Sequence, residues 1–353
     1  MSVRWLTRIL LVLQAAAALA VGWGVWRWAG VAPGLALASG VAAVAGLRLL
    51  VNMNNFVLAA CFASATPPAF RLGSAGWLRL LAGEFCASML TTSWRMPRAV
   101  AGIRVHQGST ALPVLLIHGY GCNSGYWDKL VPLLDAARIS HASVDLAPIA
   151  GDIDGYAAQV ERAADALCAA TGAARLAVVG HSMGGLVARA WMRAYGGARV
   201  AQLLTLGTPH HGSALARFGP GINAAQMRCD GSGAASIPSP WLQALAAGEN
   251  ETTRARIVSL YSHHDNIVSP QTSSLLPGAR NIAFGGIGHV ALGSDARVLA
   301  QVMATLAQTE PAVAPEVAPE WPLSARNDML AIDSTHAAPH ATKSPTPHPR
   351  THP

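Results

Sequence analysis

Leu176-Ala177-Val178-Val179-Gly180-His181-Ser182-Met183-Gly184-Gly185-Leu186-Val187 is the stretch that decides how this 353-residue chain folds. It is apolar and valine-rich up to Gly180, as in a buried strand, and a helix-like pattern resumes at Met183. Ser182 therefore falls on a sharp strand-to-helix turn, with a glycine two residues away on each side. Such a turn strains the serine backbone and crowds the neighbouring chains, so only residues without a side chain fit at Gly180 and Gly184. The hydroxyl is lifted clear of the sheet with a helix N-terminus behind it, the setting a nucleophilic serine needs.

G-H-S-M-G in this context resembles the nucleophile elbow of the α/β-hydrolases. The resemblance implies that an acid and then a histidine follow the serine. Ile257-Val258-Ser259-Leu260-Tyr261 reads as a short strand and leads into Ser262-His263-His264-Asp265, leaving Asp265 just past a strand's C-terminal end. A later strand, Asn281-Ile282-Ala283-Phe284, gives way to Gly285-Gly286-Ile287-Gly288-His289. Its glycines allow a tight return that brings the imidazole over the sheet. The implied triad is Ser182, Asp265 and His289. His263 and His264 are rivals, but they adjoin Asp265 and are poorly placed to be oriented by it. Asp295 reads as an N-terminal cap of the last helix.

Pro113-Val114-Leu115-Leu116-Ile117 is a continuous apolar run ending in His118-Gly119-Tyr120-Gly121. That ending resembles the H-G-x-G loop of lipases and esterases. The resemblance implies an oxyanion hole made by the backbone N–H groups of Tyr120 and Met183, with His118 bracing the loop. Leu206-Gly207-Thr208-Pro209-His210-His211-Gly212-Ser213 resembles the L-G-T-P-H-x-G segment of bacterial lipases and esterases. The likeness extends over about residues 100 to 308. Calcium-holding lipases of the Pseudomonas and Burkholderia type carry carboxylates near these loops. Here Asp265 and Asp295 are too few for an oxygen-rich cage, and His210-His211 and His263-His264 lack zinc-ligand spacing. No metal and no cofactor are expected.

Strands expected near 113–117, 142–146, 175–179, 201–206, 256–261 and 279–284 alternate with helices near 154–170, 184–195 and 295–308. That alternation specifies an α/β-hydrolase fold with a doubly wound, mostly parallel sheet. Residues 213–255 are irregular and punctuated by Gly and Pro, which makes them a candidate lid.

Only 12% of residues are charged and 52% are hydrophobic, with the apolar excess at the N-terminus. Residues 9–26 and 29–47 carry no charge and approach membrane-spanning length; Trp23, Trp26 and Trp28 cluster near the intervening turn. A third apolar segment, Leu49 to Thr66, is interrupted by Asn52, Asn54 and Asn55. A cleaved signal peptide is the alternative for the first stretch, and the second argues against it. Arginines before the first span and after the apolar region favour a hairpin in a bacterial inner membrane, with the catalytic domain cytoplasmic. A third span would instead put that domain on the periplasmic face.

The expected organisation is membrane-anchoring helices over 1–66, an amphipathic connection over 67–100, a catalytic domain over 101–308 and a disordered Pro/Ala/His-rich tail over 309–353. A chain beginning near Arg98 is expected to keep ester turnover, since every catalytic motif lies downstream. Five cysteines show no paired spacing, and Cys122 reads as a packing residue. The net charge of +7 comes without any nucleic-acid motif and suits anionic lipid. The implied partners are an ester or lipid-like substrate and membrane lipid, with the oligomeric state open. A carboxylic ester hydrolase ranks first. An acyltransferase, thioesterase or amidase would use the same triad. A non-catalytic membrane-bound binding protein of this fold ranks last, because no triad member is missing.

Overall fold

Two long apolar helices open the chain in the structure, a computed structural model that describes residues 2–231 and 233–309. The tail expected over 309–353 lies, apart from Thr309, outside the described residues. Helix α1 (Val3–Ala29) starts at the Ser2 cap and stops at Gly30, whose φ of +64° suits a residue without a Cβ. Pro33 begins α2 (Pro33–Cys61), so the pair forms a hairpin. Small residues let the two backbones approach: a Cβ at Gly22 would stand 2.9 Å from the Ala36 carbonyl oxygen.

The third apolar segment is not separate. The structure carries α2 without a break through Leu47, the asparagines and on to Cys61. Asn52 is buried and Asn55 half-buried against α1 and α3, while Asn54 is exposed, and the helix continues through all three. Helix α3 (Ser74–Leu90) and one π turn at Thr91–Arg95 then lead into the sheet region.

The next elements are β1 (Ile103–Arg104), β2 (Val114–Ile117), α4 (Val131–Ala136), β3 (His141–Val144), α5 (Ala157–Thr171), β4 (Leu176–His181), α6 (Met183–Tyr195) and β5 (Val200–Leu206). An excursion holds α7 (Ile222–Gln226), the small hairpin β6 (Cys229–Asp230) and β7 (Ile237–Pro238), then α8 (Pro240–Ala247) and α9 (Glu251–Ala255). The chain returns through β8 (Ile257–Ser262), β9 (Arg280–Phe284) and α10 (Ala296–Gln308).

The main sheet has the order β1-β3-β2-β4-β5-β8-β9, parallel throughout except at β1. The six expected strands are all present; β1 is the addition, an antiparallel edge too short to announce itself. Alternate residues of the central strands enter opposite cores. Leu115 and Ile117 pack with Val178, Leu186 and Trp191, while Val114 and Leu116 pack with Val179, Trp127 and Val302. A sheet covered on both faces leaves its C-terminal strand ends as the natural place for chemistry. In register, Ile117 pairs with Gly180 and His181 with Leu206, so the tips of β2, β4 and β5 stand together.

Candidate active site

Ser182 caps α6 with φ 54° and ψ −125°, a strained backbone conformation for a non-glycine residue. The neighbours make that turn possible. A Cβ at Gly180 would lie 2.7 Å from Gly185 N, and one at Gly184 would run into the carbonyls of Ile117 and His118. The Ser182 N–H donates to Leu206 O at 2.8 Å, and its carbonyl accepts from Thr208 Oγ1 at 2.9 Å. The L-G-T-P segment thus holds the elbow from the β5 side.

Asp265 and His289 meet beside it. His289 Nδ1 donates to Asp265 Oδ2 at 2.7 Å, and both residues are buried. Asp265 Oδ1 accepts from Ile267 N and Val268 N, both at 2.8 Å. Asn266 Oδ1 accepts from His289 N at 3.0 Å. Gly207 lies against both members of the pair: a Cβ there would fall 3.1 Å from Asp265 Oδ2 and 3.3 Å from His289 Nδ1. Since Ser182 bonds to Leu206, the three residues converge on one two-residue stretch. Ser182 Oγ itself has no hydrogen-bond partner among the described residues. In free enzymes such bonds often tighten only with substrate.

His289 is subject to opposing influences. Burial lowers its pKa, while the Asp265 charge, the Asp265 hydrogen bond and the more distant Glu84 carboxylate raise it; the net direction is above the ordinary 6.5. His181 lies between rings, stacked on Tyr126 at 3.9 Å and tilted against His289 at 4.6 Å. Burial holds it neutral.

The rival residues are elsewhere. His263 packs on Phe70 with ring centroids 4.7 Å apart, and His264 Nδ1 accepts from Gly286 N at 3.1 Å. Asp295 caps α10, accepting from Arg297 N at 2.9 Å. His118 is a brace: its Nδ1 donates to Gly119 O at 2.9 Å and its Nε2 accepts from Leu146 N at 2.9 Å. Gly119 sits against the serine, where a Cβ would lie 2.9 Å from Ser182 Cβ. The N–H groups of Tyr120 and Met183 donate to nothing else among the described residues. Burial pushes the Cys122 thiol up to about 12, which keeps it protonated and unreactive.

A cavity of about 530 Å³ opens at Ser182, walled by Tyr120, Leu215, Phe218, Met227 and Val268. The excursion expected as a lid supplies part of this wall, and Tyr120 Oη donates to Pro220 O at 2.7 Å across it. Asn54, Asn55 and Leu58 of α2 supply another part.

Residues 113–228 match the family model of the α/β hydrolase fold. The chain therefore has the α/β-hydrolase fold. The triacylglycerol lipase of Pseudarthrobacter phenanthrenivorans is 31% identical over 118 residues, which is 31% of this chain and 37% of that protein. The triacylglycerol lipase of Burkholderia plantarii is likewise 31% identical over 118 residues, 33% of its length. The chain thus aligns with about a third of the length of these curated relatives. Bacillus licheniformis lipase BlEst2 in its mature form superposes with a TM-score of 0.48 at 19% identity, over 59% of this chain and 97% of that one.

Three groups in the chain escape a motif reading. Glu84 of α3 is buried, and its two oxygens accept from Val290 N and Ala291 N, each at 2.9 Å, directly after His289. The signal was available: Glu84 is the sole carboxylate before Asp128. Gln271 links the end of α2 to the acid, accepting from Ser64 N at 3.1 Å and donating to Asp265 O at 2.9 Å. His106, Asp135 and His141 cluster near β1 and the start of β3, with ligand types suited to a cation. Arg104 already occupies the second Asp135 oxygen at 2.6 Å, and the group lies at the opposite end of the strands from Ser182.

Proposed function

We propose that this chain is a membrane-anchored serine hydrolase that cleaves carboxylic esters through an acyl-enzyme on Ser182. The carrying observation is the buried 2.7 Å bond from His289 to Asp265, set beside a serine held at positive φ below an apolar cavity. Ser182 Oγ attacks the acyl carbon and gives its proton to His289 Nε2. Asp265 holds Nδ1–H and stabilises the imidazolium that forms. Negative charge on the carbonyl oxygen meets the N–H groups of Tyr120 and Met183, each worth roughly 2.7–4 kcal/mol in comparable enzymes. Collapse breaks the acyl C–O bond, and the leaving alcohol takes the proton from His289. Water then repeats the sequence, releasing the acid and restoring Ser182.

The relatives named as triacylglycerol lipases favour an ester or lipid substrate, as does the apolar lining of the cavity. Helices α1 and α2 have the length and apolarity to cross a bilayer and leave Leu13, Leu19, Trp23, Leu47 and Val57 exposed. Contacts from α1 into the rest of the chain, such as Arg8 Nε donating to Pro97 O at 2.9 Å, favour an anchor over a removed signal peptide. A two-helix hairpin returns the chain to its starting side. With arginines at both ends, the positive-inside rule puts the catalytic domain in the cytoplasm. The 213–255 excursion, which holds exposed Phe218 and Ile222, is the proposed lid.

Hydrolysis of p-nitrophenyl esters of increasing chain length by full-length protein in detergent tests the reading. Turnover above the Ser182→Ala blank is expected, rising with chain length toward the cavity's capacity. Equal turnover by wild type and Ser182→Ala would overturn it.

A further inference from the structure

Arg48, Asn52 and Asn55 stand at i, i+4 and i+7 of α2, so they form one polar stripe on a largely apolar helix whose other polar residues are Ser39 and Asn54. A cation and an open amide at such depth are costly unless the protein uses them. Arg48 Nη1 donates to Gln14 Oε1 at 3.2 Å and to Ser93 Oγ at 2.7 Å, and Nη2 donates to Thr92 Oγ1. Every one of these acceptors is neutral. Among the described residues, no carboxylate lies within ion-pair distance of Arg48. Asn52 is only 6% exposed, and its Oδ1 has no partner among the described residues.

Both residues line a crevice of about 470 Å³ between α1, α2 and α3, with Leu10, Leu47, Val51 and Phe85 among its apolar walls. Asn55 lines this crevice and the Ser182 cavity alike, so a single side chain stands between the two spaces. Arg48 stands about 10 Å from Asn55 along the helix. That distance is on the scale of a phosphoglycerol unit plus the reach of a guanidinium. Measured from Pro33, Arg48 lies about 22 Å along α2, against a hydrocarbon core of about 30 Å. With the hairpin turn at the far interface, Arg48 approaches the headgroup level of the leaflet beneath the catalytic domain.

We propose that the substrate is an anionic glycerophospholipid whose phosphate is held by Arg48 and Asn52, aiming its acyl ester past Asn55 at Ser182. The proposal rests on Ser182 being the nucleophile. The phosphate supplies the counter-charge Arg48 lacks, the Asn52 Nδ2–H group donates to the phosphate, and the unpartnered Asn52 Oδ1 accepts from a glycerol hydroxyl. A neutral glyceride offers only the latter. Water cleaves the acyl C–O bond, so the products are a fatty acid and a lysophospholipid.

The test uses full-length protein in neutral-detergent micelles containing either phosphatidylglycerol or diacylglycerol with the same acyl chains at matched mole fraction. Wild type is expected to prefer phosphatidylglycerol in kcat/KM. Arg48→Gln should lower the phosphatidylglycerol-to-diacylglycerol ratio at least tenfold, chiefly through KM, with Arg48→Lys in between. Asn52→Leu should lower the ratio severalfold. Because the ratio compares two substrates in one preparation, partial loss of folded protein cancels. If both activities fell together in Arg48→Gln and Asn52→Leu, the stripe would be a structural brace and the proposal overturned. A wild type that cleaves diacylglycerol and spares phosphatidylglycerol would overturn it too. Saturating inorganic phosphate should leave the ratio in place; its collapse would reassign the stripe to free phosphate. A wild type inactive on both lipids and unlabelled at Ser182 by a fluorophosphonate would remove the hydrolase reading itself.

Discussion

At the scale of single residues, the proposed mechanism needs a neutral His289 to take the proton from Ser182, yet its surroundings favour the imidazolium. Its raised pKa places the acid limb of kcat/KM above the value of free imidazole. Glu84 contributes to that rise and also fixes Val290 and Ala291 through two charge-assisted hydrogen bonds. Glu84→Gln replaces one acceptor by a donor and leaves a buried N–H unpaired, a cost of about 1–3 kcal/mol. We expect it to shift the acid limb to lower pH and to reduce kcat more than it raises KM; an unmoved limb would mean that Glu84 has no electrostatic reach to His289. Stability follows the opposite sign. A folded pKa above the unfolded 6.5 means that the contribution of His289 is fully present below about pH 6.5 and lost as pH rises through the folded value. Urea midpoints of wild type and His289→Gln across that window should converge as pH rises. The turns that bring Ser182, Asp265 and His289 together were legible because the signals for each are local. Glu84 was not, because its partners are 206 and 207 residues away and no local pattern encodes them.

Among the elements, the central strands and α5, α6 and α10 were readable from apolar runs and helical periodicity. Two-residue β1 carries too little pattern, and its pairing with β3 is a tertiary fact. The asparagines of α2 read as a break because an amide facing lipid is costly; Asn52 and Asn55 turn instead toward α1 and α3, while Asn54 is exposed. The excursion between β5 and β8 is likewise anchored by a pair that sequence cannot match up. Arg189 of α6 bonds Glu249 through both oxygens, at 2.6 and 2.8 Å, with no exposed side-chain surface on either partner. Arg189 Nη1 also donates to His210 Nδ1 at 3.1 Å, tying in the L-G-T-P-H segment. Removing one member leaves a buried charge, so Glu249→Ala is expected to destabilise the protein by about 3–5 kcal/mol. Chemical denaturation checks this; a loss under 1 kcal/mol would mean that water reaches Arg189 once its partner is gone.

For the molecule as a whole, the N-terminal helices reach the candidate site. Asn55 and Leu58 line the Ser182 cavity, Ser269 Oγ donates to Ala59 O at 2.7 Å, and Glu84 clamps the His289 loop. The expectation that a chain starting near Arg98 keeps its activity therefore has to be reversed. Such a chain should lose at least tenfold in kcat/KM even on a soluble short-chain ester; full activity would show that these contacts are dispensable. Full-length protein should stay with membranes through high-salt and alkaline washing, since inserted apolar helices do not respond to screening. Release without detergent would contradict the anchor. The central claim is that Ser182 is an activated nucleophile, and the most direct measurement is fluorophosphonate labelling of the full-length protein followed by mapping of the modified peptide. The account predicts a single adduct on Ser182, abolished in Ser182→Ala and strongly reduced in His289→Ala. Labelling that persists undiminished in Ser182→Ala, or maps to another residue, would contradict it.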